Sequence, residues 1–355
     1  MATIGLDATY TLGARPTGIA TYSRRLIESL AELKSAHRFL VCYRLSRWNR
    51  RSEFLRLPGC PVRLFQRPLT FWLPRQADLF HSLAQRPPVF RFRREVVTVH
   101  DAFPITGRDY STPEFQQRFS ALLREAVERA ARVITDSEYT ARQLQTHCGV
   151  EAERIRTIPC GVDEPSETRP SERERLVGTG NEMLLSVGNL ETRKNLVNAL
   201  RALALLPERY RLVMVGGDGY GAEAIHAFIR DQGLEHRVVR LGFVPAERLP
   251  VLYESASALL FPSLEEGFGF PVLEAMAHGL PVVTSNTSSL PEVGGDAALY
   301  ADPLDVEGIA AQCTRAVEDQ ALRRDLIERG RARARQFTWR RTAEAVLRVY
   351  DEVLA

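Results

Sequence analysis

Two glutamates, Glu266 and Glu274, stand with seven residues between them in the stretch from Phe261 to Gly279. Two carboxylates this close in sequence suggest a general acid–base pair as one possibility. A second possibility is that the two carboxylates bind different parts of one ligand. The residues around the glutamates favour the second interpretation.

The stretch predicts a strand end, a glycine-bearing turn and a short helix. Pro271 suits the first turn of a helix, where a missing N–H costs nothing. Gly279 suits the left-handed position that ends a helix. Gly267 and Gly269 allow the backbone to approach a ligand closely, and the helix N-terminus that follows offers unpaired N–H groups to an anion. One carboxylate is therefore expected before the helix and the other within it.

Partners for these carboxylates must come from elsewhere in the chain, because no Lys or Arg occurs between Arg248 and Arg315. The chain has 45 Arg and only two Lys, Lys34 and Lys194. Arg193 and Lys194 follow a predicted strand and directly precede a predicted helix, a position that suits the binding of a diphosphate. The alternative is an ordinary basic pair on the surface.

Other polar residues are weaker candidates for chemistry. His100 ends a predicted strand beside Asp101 and is a candidate for the site, whereas His81 has a weaker claim. His278 near a helix end is explained by the helix dipole. Glu292 completes a capping-box pattern that begins at Ser289, and we interpret it as structural.

Several functional classes are disfavoured. The segment Gly217–Ala222 loosely matches a dinucleotide fingerprint, but no acidic residue ends the next strand, which argues against a nicotinamide cofactor. Asp-x-Asp does not occur, and no His, Cys and carboxylate cluster has metal-ligand spacing, so neither a metal nor another cofactor is expected. The five cysteines are scattered and lack a Cys-x-x-Cys pair, which favours free thiols in a reducing cytoplasm.

The elements that must position these residues form an α/β pattern. Twelve short apolar strands, from Thr3–Ala8 to Pro281–Ser285, alternate with amphipathic helices, which predicts parallel sheets covered on both faces. The alternation breaks in a polar segment, so we predict domains at 1–165 and 182–336 with a linker at 166–181. The Gly-rich strand ends are expected to line one cleft between the domains. A last helix within 337–355 must bury an apolar stripe that includes Ala343 and Tyr350.

Charge is divided unevenly. Residues 1–164 hold 25 Lys and Arg against 17 Asp and Glu, whereas the rest hold 22 against 27. Nucleic acid is not expected as a partner, because no binding motif accompanies the basic half. Three stretches, Tyr43–Arg51, Phe71–Arg75 and Arg86–Arg94, mix Arg with aromatic residues. They suit an anionic membrane surface or a lipid phosphate, or else form a solvated Arg-rich face.

The N-terminus lacks a signal-peptide pattern, and no apolar run has the length that spans a bilayer. We therefore expect a cytoplasmic location, with contact to the inner face of the cell membrane as an open alternative.

The run from Glu266 to Val283 closely resembles the signature of family 4 retaining glycosyltransferases, whose GT-B fold has two Rossmann-like domains. Weaker similarities extend over most of the chain. They are the glycine loop Thr17–Tyr22, the segments Val133–Arg142 and Ile158–Asp163 before the linker, and Phe337–Trp339, where the family's last helix crosses back onto the N-terminal domain.

The resemblance implies a role for each candidate. Glu274 would bind the ribose hydroxyls of a nucleotide, and Glu266 with the backbone of Gly267, Phe268, Gly269 and Phe270 would hold the donor sugar and its phosphate. Arg193 and Lys194 would clamp the diphosphate near Gly188 and Gly216, and Gly18 would approach it closely. His100 would face the transferred sugar, and Val244 would meet the base.

Two residues depart from the family pattern. Asn189 stands where an Arg is frequent, so Arg193 is expected to carry more of the phosphate contact. Cys160 replaces the usual Asn before the linker, which puts no catalytic role in doubt.

The resemblance implies a retaining hexosyltransferase that acts on a glycan or polyprenyl-linked acceptor in cell-surface polysaccharide synthesis. Overall similarity to bacterial polysaccharide mannosyltransferases favours GDP-mannose as the donor. Two alternatives are a non-catalytic subunit that binds a nucleotide sugar and a nucleotide-sugar isomerase of the same fold.

Overall fold

Strands and helices alternate along nearly the whole chain, as expected for strands that are covered on both faces. The computed structural model describes residues 1–13, 17–66, 73–106, 109–165 and 171–355. The chain forms two units. The first comprises Met1–Gly107, Pro113–Gly161 and Phe337–Ala355, and the second comprises Arg108–Thr112 and Val162–Gln336.

The described residues of the first unit form a seven-stranded sheet in which every pairing is parallel. Its strands are β1 (Thr3–Asp7), β2 (Arg38–Arg44), β3 (Val62–Phe65), β4 (Leu79–Ser82), β5 (Glu95–Val99), β6 (Arg132–Thr135) and β7 (Ile155–Thr157). Their order in the sheet is β3-β2-β1-β4-β5-β6-β7. Central strands such as β4 and β5 are buried along their whole length, and polar residues within them pair inside the unit, as His81 does with Thr98 at 2.8 Å.

The described residues of the second unit form a six-stranded parallel sheet in the order β10-β9-β8-β11-β12-β13. Its strands are β8 (Glu182–Val187), β9 (Tyr210–Val215), β10 (Val238–Gly242), β11 (Ala258–Phe261), β12 (Val282–Ser285) and β13 (Leu299–Ala301). In both sheets the order reverses next to the first strand of the unit. The carboxyl ends of the strands at such a reversal are where α/β sheets bind ligands.

Helices cover both sheets. They are α1 (Gly18–Glu32), α2 (Leu73–Gln76), α3 (Pro113–Arg129), α4 (Glu138–Cys148), α5 (Arg173–Val177), α6 (Leu196–Leu205), α7 (Ala222–Asp231), α8 (Leu249–Ser255), α9 (Phe270–Ala277), α10 (Leu290–Gly294), α11 (Val306–Glu318), α12 (Gln320–Ala334) and α13 (Trp339–Leu354). The core of the second unit joins apolar side chains of α6, α7 and α11 to those of β8, β9 and β11.

The twelve predicted strands are all present, with ends that differ by at most one residue. The prediction missed β13, which has three residues of which only Ala301 is buried. The apolar run Ala297–Ala301 around it contains no β-branched residue and three alanines, which are depleted in strands. The first five residues of the predicted linker, 166–170, lie outside the described residues, and Arg173–Val177 within it forms α5.

The terminal helix α13 belongs to the first unit, where it packs against α1. Thr338 caps it by accepting a hydrogen bond from the backbone of Arg341. Tyr350 is fully buried, and its hydroxyl lies 2.6 Å from Nδ1 of His81 on β4. Ala343 and Val346 are buried as the stripe predicts, but Leu347 and Leu354 are only partly buried.

No helix among the described residues is long and apolar enough to cross a membrane.

Gly161 supplies a test of how tightly α13 is held. A Cβ at this position would overlap the backbone of Trp339, the first residue of α13. Gly161→Ala should therefore cost about 1–3 kcal/mol in the free energy of unfolding, because backbone cannot yield as a side chain does. Urea unfolding of the purified variant measures this.

Gly330→Ala is the matched control, because its Cβ would meet only the flexible side chain of Met276, at 3.3 Å, inside a helix. We expect its free energy of unfolding to stay within about 1 kcal/mol of wild type. Equal stability of the two variants would contradict the close contact at Gly161.

Candidate functional site

Two Gly-rich loops of the second unit, after β8 and β9, pair with each other. The Leu190 N–H donates to the Gly217 carbonyl at 2.9 Å, and the Gly219 N–H donates to the Leu190 carbonyl at 3.0 Å. Gly216 has φ +139°, and a Cβ there would overlap the carbonyl of Gly188. Only glycine allows this approach, so the loop that leads to the two cations is fixed by the loop beside it.

The segment with Arg193 and Lys194 forms a single 3₁₀ turn, Thr192–Lys194, directly before α6. Asn195 follows in the left-handed conformation with φ 58°, and its side-chain amide donates to the carbonyls of Pro262 and Pro303 at 2.9 and 2.7 Å. These bonds attach the turn to the loops that follow β11 and β13. The predicted position of the cations between a strand and a helix is thereby confirmed.

Glu266 lies against both cations. Lys194 Nζ is 2.6 Å from Glu266 Oε1, and the Arg193 guanidinium is 2.8 Å from Oε2. The same guanidinium donates to the Glu265 carbonyl at 2.7 Å, and Lys194 Nζ lies 4.8 Å from the centroid of the Phe261 ring. The three charged side chains are only 8–14% exposed. The cations that the local sequence of Glu266 lacks thus come from the loop after β8.

The charges of this cluster are mutually dependent. Burial alone would raise the pKa of Glu266, but the charges of Arg193 and Lys194 outweigh it and lower that pKa to about 2. Burial lowers the pKa of Lys194, whereas the Glu266 carboxylate acts to raise it. Glu266 is therefore ionised at neutral pH, and it serves as an acceptor of hydrogen bonds rather than as an acid.

The loop that carries Glu266 is held by two serines. Ser288 Oγ accepts from the Glu266 N–H at 3.1 Å. Ser289 Oγ donates to the carbonyls of Glu266 and Phe268 at 2.9 and 2.7 Å. The capping box predicted from Ser289 to Glu292 is wrong, since the Ser289 side chain makes these bonds and caps no N–H of α10.

Helix α9 begins as the sequence predicts. Gly269 precedes it with φ 113°, Pro271 occupies its first turn, and Gly279 follows its end with φ 70°. Phe268 is buried, and its ring packs edge-on against Phe270 at 5.4 Å between centroids. Glu266 and Gly267 are buried in the loop before this N-terminus. The helix N-terminus and the two cations are therefore brought to the same loop.

Glu274 lies within α9 and has a partner that the sequence did not indicate. The Tyr253 hydroxyl donates to Glu274 Oε2 at 2.5 Å. Burial raises the pKa of Glu274, and the Tyr253 hydrogen bond opposes that rise. The Tyr253 ring stacks on the ring of His278, with centroids 5.6 Å apart. Burial lowers the pKa of His278, and Glu254 acts to raise it; the helix-dipole explanation of this residue at the end of α9 stays a prediction.

Two other predicted site residues of the second unit, Val244 and Asn189, follow strands β10 and β8. Val244 is buried just after β10, and the Gly242 carbonyl at the end of that strand accepts from the Gly216 N–H at 2.8 Å. Asn189 is exposed after β8, with its side-chain amide 3.4 Å from Glu191 Oε1. Glu191 also lies 3.4 Å from the Arg193 guanidinium, a contact that sequence reasoning missed.

Gly18 and His100 belong to the first unit. Gly18 is the exposed first residue of α1, and Thr17 caps that helix through the Ala20 N–H at 3.3 Å. His100 is buried at the end of β5. Its Nδ1 lies 2.6 Å from Asp136 Oδ2, and its Nε2 donates to the Leu83 carbonyl at 2.9 Å.

Both ring nitrogens of His100 are thus engaged inside the unit. Burial acts to lower its pKa, but the charge and hydrogen bond of Asp136 prevail and raise it. The buried Asp136 side chain therefore favours the protonated form of the ring. Its predicted contact with a sugar stays a prediction, and Asp136 is the partner that sequence reasoning missed.

His81 has the opposite character. Its ring nitrogens contact the Tyr350 and Thr98 hydroxyls at 2.6 and 2.8 Å, and burial lowers its pKa to about 3. It is a neutral core residue, which agrees with its weaker claim. Among the described residues no group of three or more His, Cys, Asp or Glu side chains is arranged to hold a metal ion.

Comparisons with known proteins decide the family. Residues 16–164 match the model of Glycosyltransferase Family 4, and residues 168–333 match the model of Glycosyl transferases group 1. The O-antigen chain mannosyltransferase B of Escherichia coli is 35% identical over 271 residues, which are 73% of this chain and 71% of that protein. The chain is a family 4 glycosyltransferase. The prediction of an enzyme of the hexosyltransferase class is confirmed.

Two further proteins resemble this glycosyltransferase. The serotype-specific mannosyltransferase WbdA of Escherichia coli is 29% identical over 275 residues, which are 74% of this chain but only 34% of WbdA. The crystal structure of Anabaena HepE with UDP-glucose has a TM-score of 0.76 at 21% identity and covers 99% of each chain. That likeness confirms the predicted fold class, with two parallel-sheet Rossmann-like units.

The acid stability of the glycosyltransferase tests the buried ion cluster. Glu266→Gln leaves two buried cations without their carboxylate, which should cost roughly 3 kcal/mol in the free energy of unfolding at pH 7. Folding lowers the pKa of Glu266 from 4.5 to about 2. Its ion pairs therefore contribute fully to the free energy of unfolding above about pH 4.5, and this contribution is lost as the pH falls toward 2. Urea unfolding at pH 7 and pH 3 should show the difference from wild type shrinking at the lower pH.

Glu352→Gln is the control, because Glu352 pairs with Arg132 and Arg156 on the surface. Surface pairs contribute about 1 kcal/mol or less. A Glu266→Gln variant that is no less stable than Glu352→Gln at pH 7 would rule out a tightly coupled cluster.

Proposed function

We propose that the protein is a retaining hexosyltransferase that moves a hexose from a nucleotide-diphosphate sugar to a hydroxyl of a glycan or lipid-linked glycan. The observation that carries this proposal is the buried cluster of Glu266, Arg193 and Lys194 before the N-terminus of α9, with Glu274 inside that helix. Cations and a helix N-terminus suit a diphosphate, and carboxylates suit hydroxyl groups.

Each charged group of the candidate site has one role in this proposal. The Arg193 and Lys194 cations neutralise the diphosphate, whose charge grows as it leaves. Glu266 accepts hydrogen bonds from hydroxyls of the donor sugar, and Glu274 accepts from those of the ribose. Because the pKa of Glu266 is about 2, this carboxylate does not supply a proton at neutral pH.

The reaction then proceeds on one face of the sugar. The bond from the anomeric carbon to the diphosphate oxygen breaks, and a bond from that carbon to the acceptor oxygen forms on the same side. The acceptor proton passes to the departing diphosphate oxygen, so no covalent intermediate with the protein is required. Positioning and charge stabilisation supply the catalysis, and no metal takes part.

GDP-mannose is the donor that we favour. The two relatives described above are named as mannosyltransferases, and one of them acts on O-antigen chains according to its name. The HepE structure contains UDP-glucose, which supports a nucleotide sugar as the class of donor. An O-antigen-like glycan or a polyprenyl-linked precursor is the proposed acceptor, used in polysaccharide synthesis at the cytoplasmic side of the membrane.

Lys194→Ala combined with a donor panel tests the function. Thermal shifts with GDP-mannose, GDP-glucose, UDP-glucose and UDP-galactose should be largest for GDP-mannose, because a ligand stabilises the state that binds it. Lys194→Ala should lose most of that shift and about 100-fold in turnover with an acceptor glycan, roughly 3 kcal/mol in the barrier.

Lys34→Ala is the matched control, since Lys34 is the other lysine of the chain and is exposed. It should behave as wild type. Unchanged turnover in Lys194→Ala would refute the site. Binding of donor without release of nucleotide with any acceptor would favour a non-catalytic subunit, and a donor sugar altered without acceptor would favour an isomerase.

Contact with an anionic membrane is a second part of the proposal, and it is confined to one stretch. Trp48 is 50% exposed, and the Arg51 guanidinium lies over its ring at 5.2 Å from the centroid. In the stretch Arg86–Arg94, by contrast, Phe90 and Phe92 are buried in the core of the first unit. In the stretch Phe71–Arg75, residues 71 and 72 lie outside the described residues.

Removal of Arg50, Arg51, Arg93 and Arg94 should weaken binding to phosphatidylglycerol vesicles, by roughly 1 kcal/mol for each charge near the surface. The pair Arg50 and Arg51 should contribute more than the pair Arg93 and Arg94, because only the first lies beside an exposed aromatic ring. Vesicle sedimentation with the two double variants measures this. Wild-type binding in the quadruple variant would identify the patch as an ordinary solvated surface.

A further inference from the structure

Tyr253 lies directly behind Glu274. It is on α8, with only 2% of its surface exposed, and its hydroxyl donates to Glu274 Oε2 at 2.5 Å. Glu274 itself is on α9 and is partly exposed. A buried phenol therefore holds one oxygen of the carboxylate of a partly exposed residue.

The Tyr253 ring cannot easily turn away from this carboxylate. It stacks on the His278 ring with an interplanar angle of 12°, and His278 Nδ1 lies 3.4 Å from Glu254 Oε1. Tyr253 and Glu254 are both on α8, while His278 ends α9. Two side-chain contacts thus fix the two helices to each other at this point.

The second carboxylate oxygen is in a different situation. Within the described part of the chain, no hydrogen bond reaches Glu274 Oε1, whereas Oε2 is occupied by the phenol. A carboxylate with one oxygen fixed has one orientation in which the other oxygen can accept. It no longer has to lose rotational freedom when a ligand binds.

We propose that Tyr253 is a positioning residue for Glu274, and that it thereby sets the preference of the site for ribose over 2′-deoxyribose. This inference rests on the proposed function, in which Glu274 accepts from the ribose hydroxyls. The phenol acts through the carboxylate and does not itself touch the nucleotide.

The charges around Glu274 give the inference a second consequence. Burial and the nearby Asp163 raise the pKa of Glu274, and the Tyr253 hydrogen bond lowers it. His278 and Glu254 face the other side of the phenol. Loss of the phenol hydroxyl should therefore raise the Glu274 pKa further, and the carboxylate should lose its negative charge at a higher pH.

Tyr253→Phe tests the inference, because it removes the hydroxyl and keeps the ring on His278. Calorimetry with GDP and 2′-deoxy-GDP, and with UDP and 2′-deoxy-UDP, gives the ratio of the two dissociation constants in each pair. For the base that binds, wild type should prefer the ribonucleotide by about 10- to 100-fold, as expected for a hydrogen bond to a charged group. Tyr253→Phe should reduce this preference about tenfold.

Tyr210→Phe is the matched control. Its hydroxyl also donates to a glutamate of the second unit, Glu318 Oε1 at 2.7 Å, but it lies at the opposite end of β9 from the Gly-rich loop. This variant should keep the wild-type preference for ribose. A general loss of stability from removing a buried hydroxyl would affect both variants alike.

The pH dependence of the same ratio separates positioning from a structural role. Titration of the diphosphate and of Lys194 affects both nucleotides of a pair and cancels in the ratio. The preference for ribose should fall as the pH falls, and in Tyr253→Phe this fall should begin at a higher pH than in wild type.

The outcomes are distinct. If wild type binds neither GDP nor UDP, the proposed function and this inference both fail. If wild type binds ribo- and deoxyribonucleotides equally, the role of Glu274 fails and the inference with it. If wild type prefers ribose and Tyr253→Phe keeps both that preference and its pH dependence, only the role of Tyr253 is overturned.

Discussion

A buried carboxylate between two cations determines how the second unit is built. Glu266 would be costly to bury alone, and so would Arg193 and Lys194. Glu266 balances one of the two positive charges, and Glu191 lies 3.4 Å from the Arg193 guanidinium, which also donates to the Glu265 carbonyl. Three loops must therefore meet, those after β8, β11 and β12, because each contributes a residue that the others need. The serines after β12 complete this arrangement by holding the backbone of Glu266.

This arrangement explains why the site is ready before a ligand arrives. The cations already face an anion, and the loops are fixed by backbone hydrogen bonds that do not involve a nucleotide. Electrostatic stabilisation is most effective when the groups need not reorganise during the reaction. In the proposed function, an entering diphosphate would share the two cations with Glu266, and the N-terminus of α9 would supply additional donors.

Much of the fold could be predicted from the sequence, because apolar residues dominate most strands and the two ends of α9 have their own residue signals in Pro271 and Gly279. The cation pair could be placed by the same logic, since it stands between a strand and a helix. Three contacts could not. Tyr253 is far from Glu274 in sequence and belongs to no motif, and Asp136 approaches His100 only through the pairing of β5 with β6. The sequence around Ser289 fits a local capping pattern, but its hydroxyl bonds instead to the carbonyls of Glu266 and Phe268, more than 20 residues away.

The space around Lys194 has a consequence for the composition of the chain. Arginine accounts for 45 of the 47 Lys and Arg residues, so a lysine at this position is exceptional within the chain. At this position a Cβ on Gly188 would lie 3.3 Å from Lys194 Cε, and the Phe261 ring closes the other side. A slender methylene stem with a single nitrogen fits between them, whereas a planar guanidinium is broader and has its charge spread over three nitrogens. A compositional bias that replaces lysine elsewhere therefore meets a steric limit at this residue.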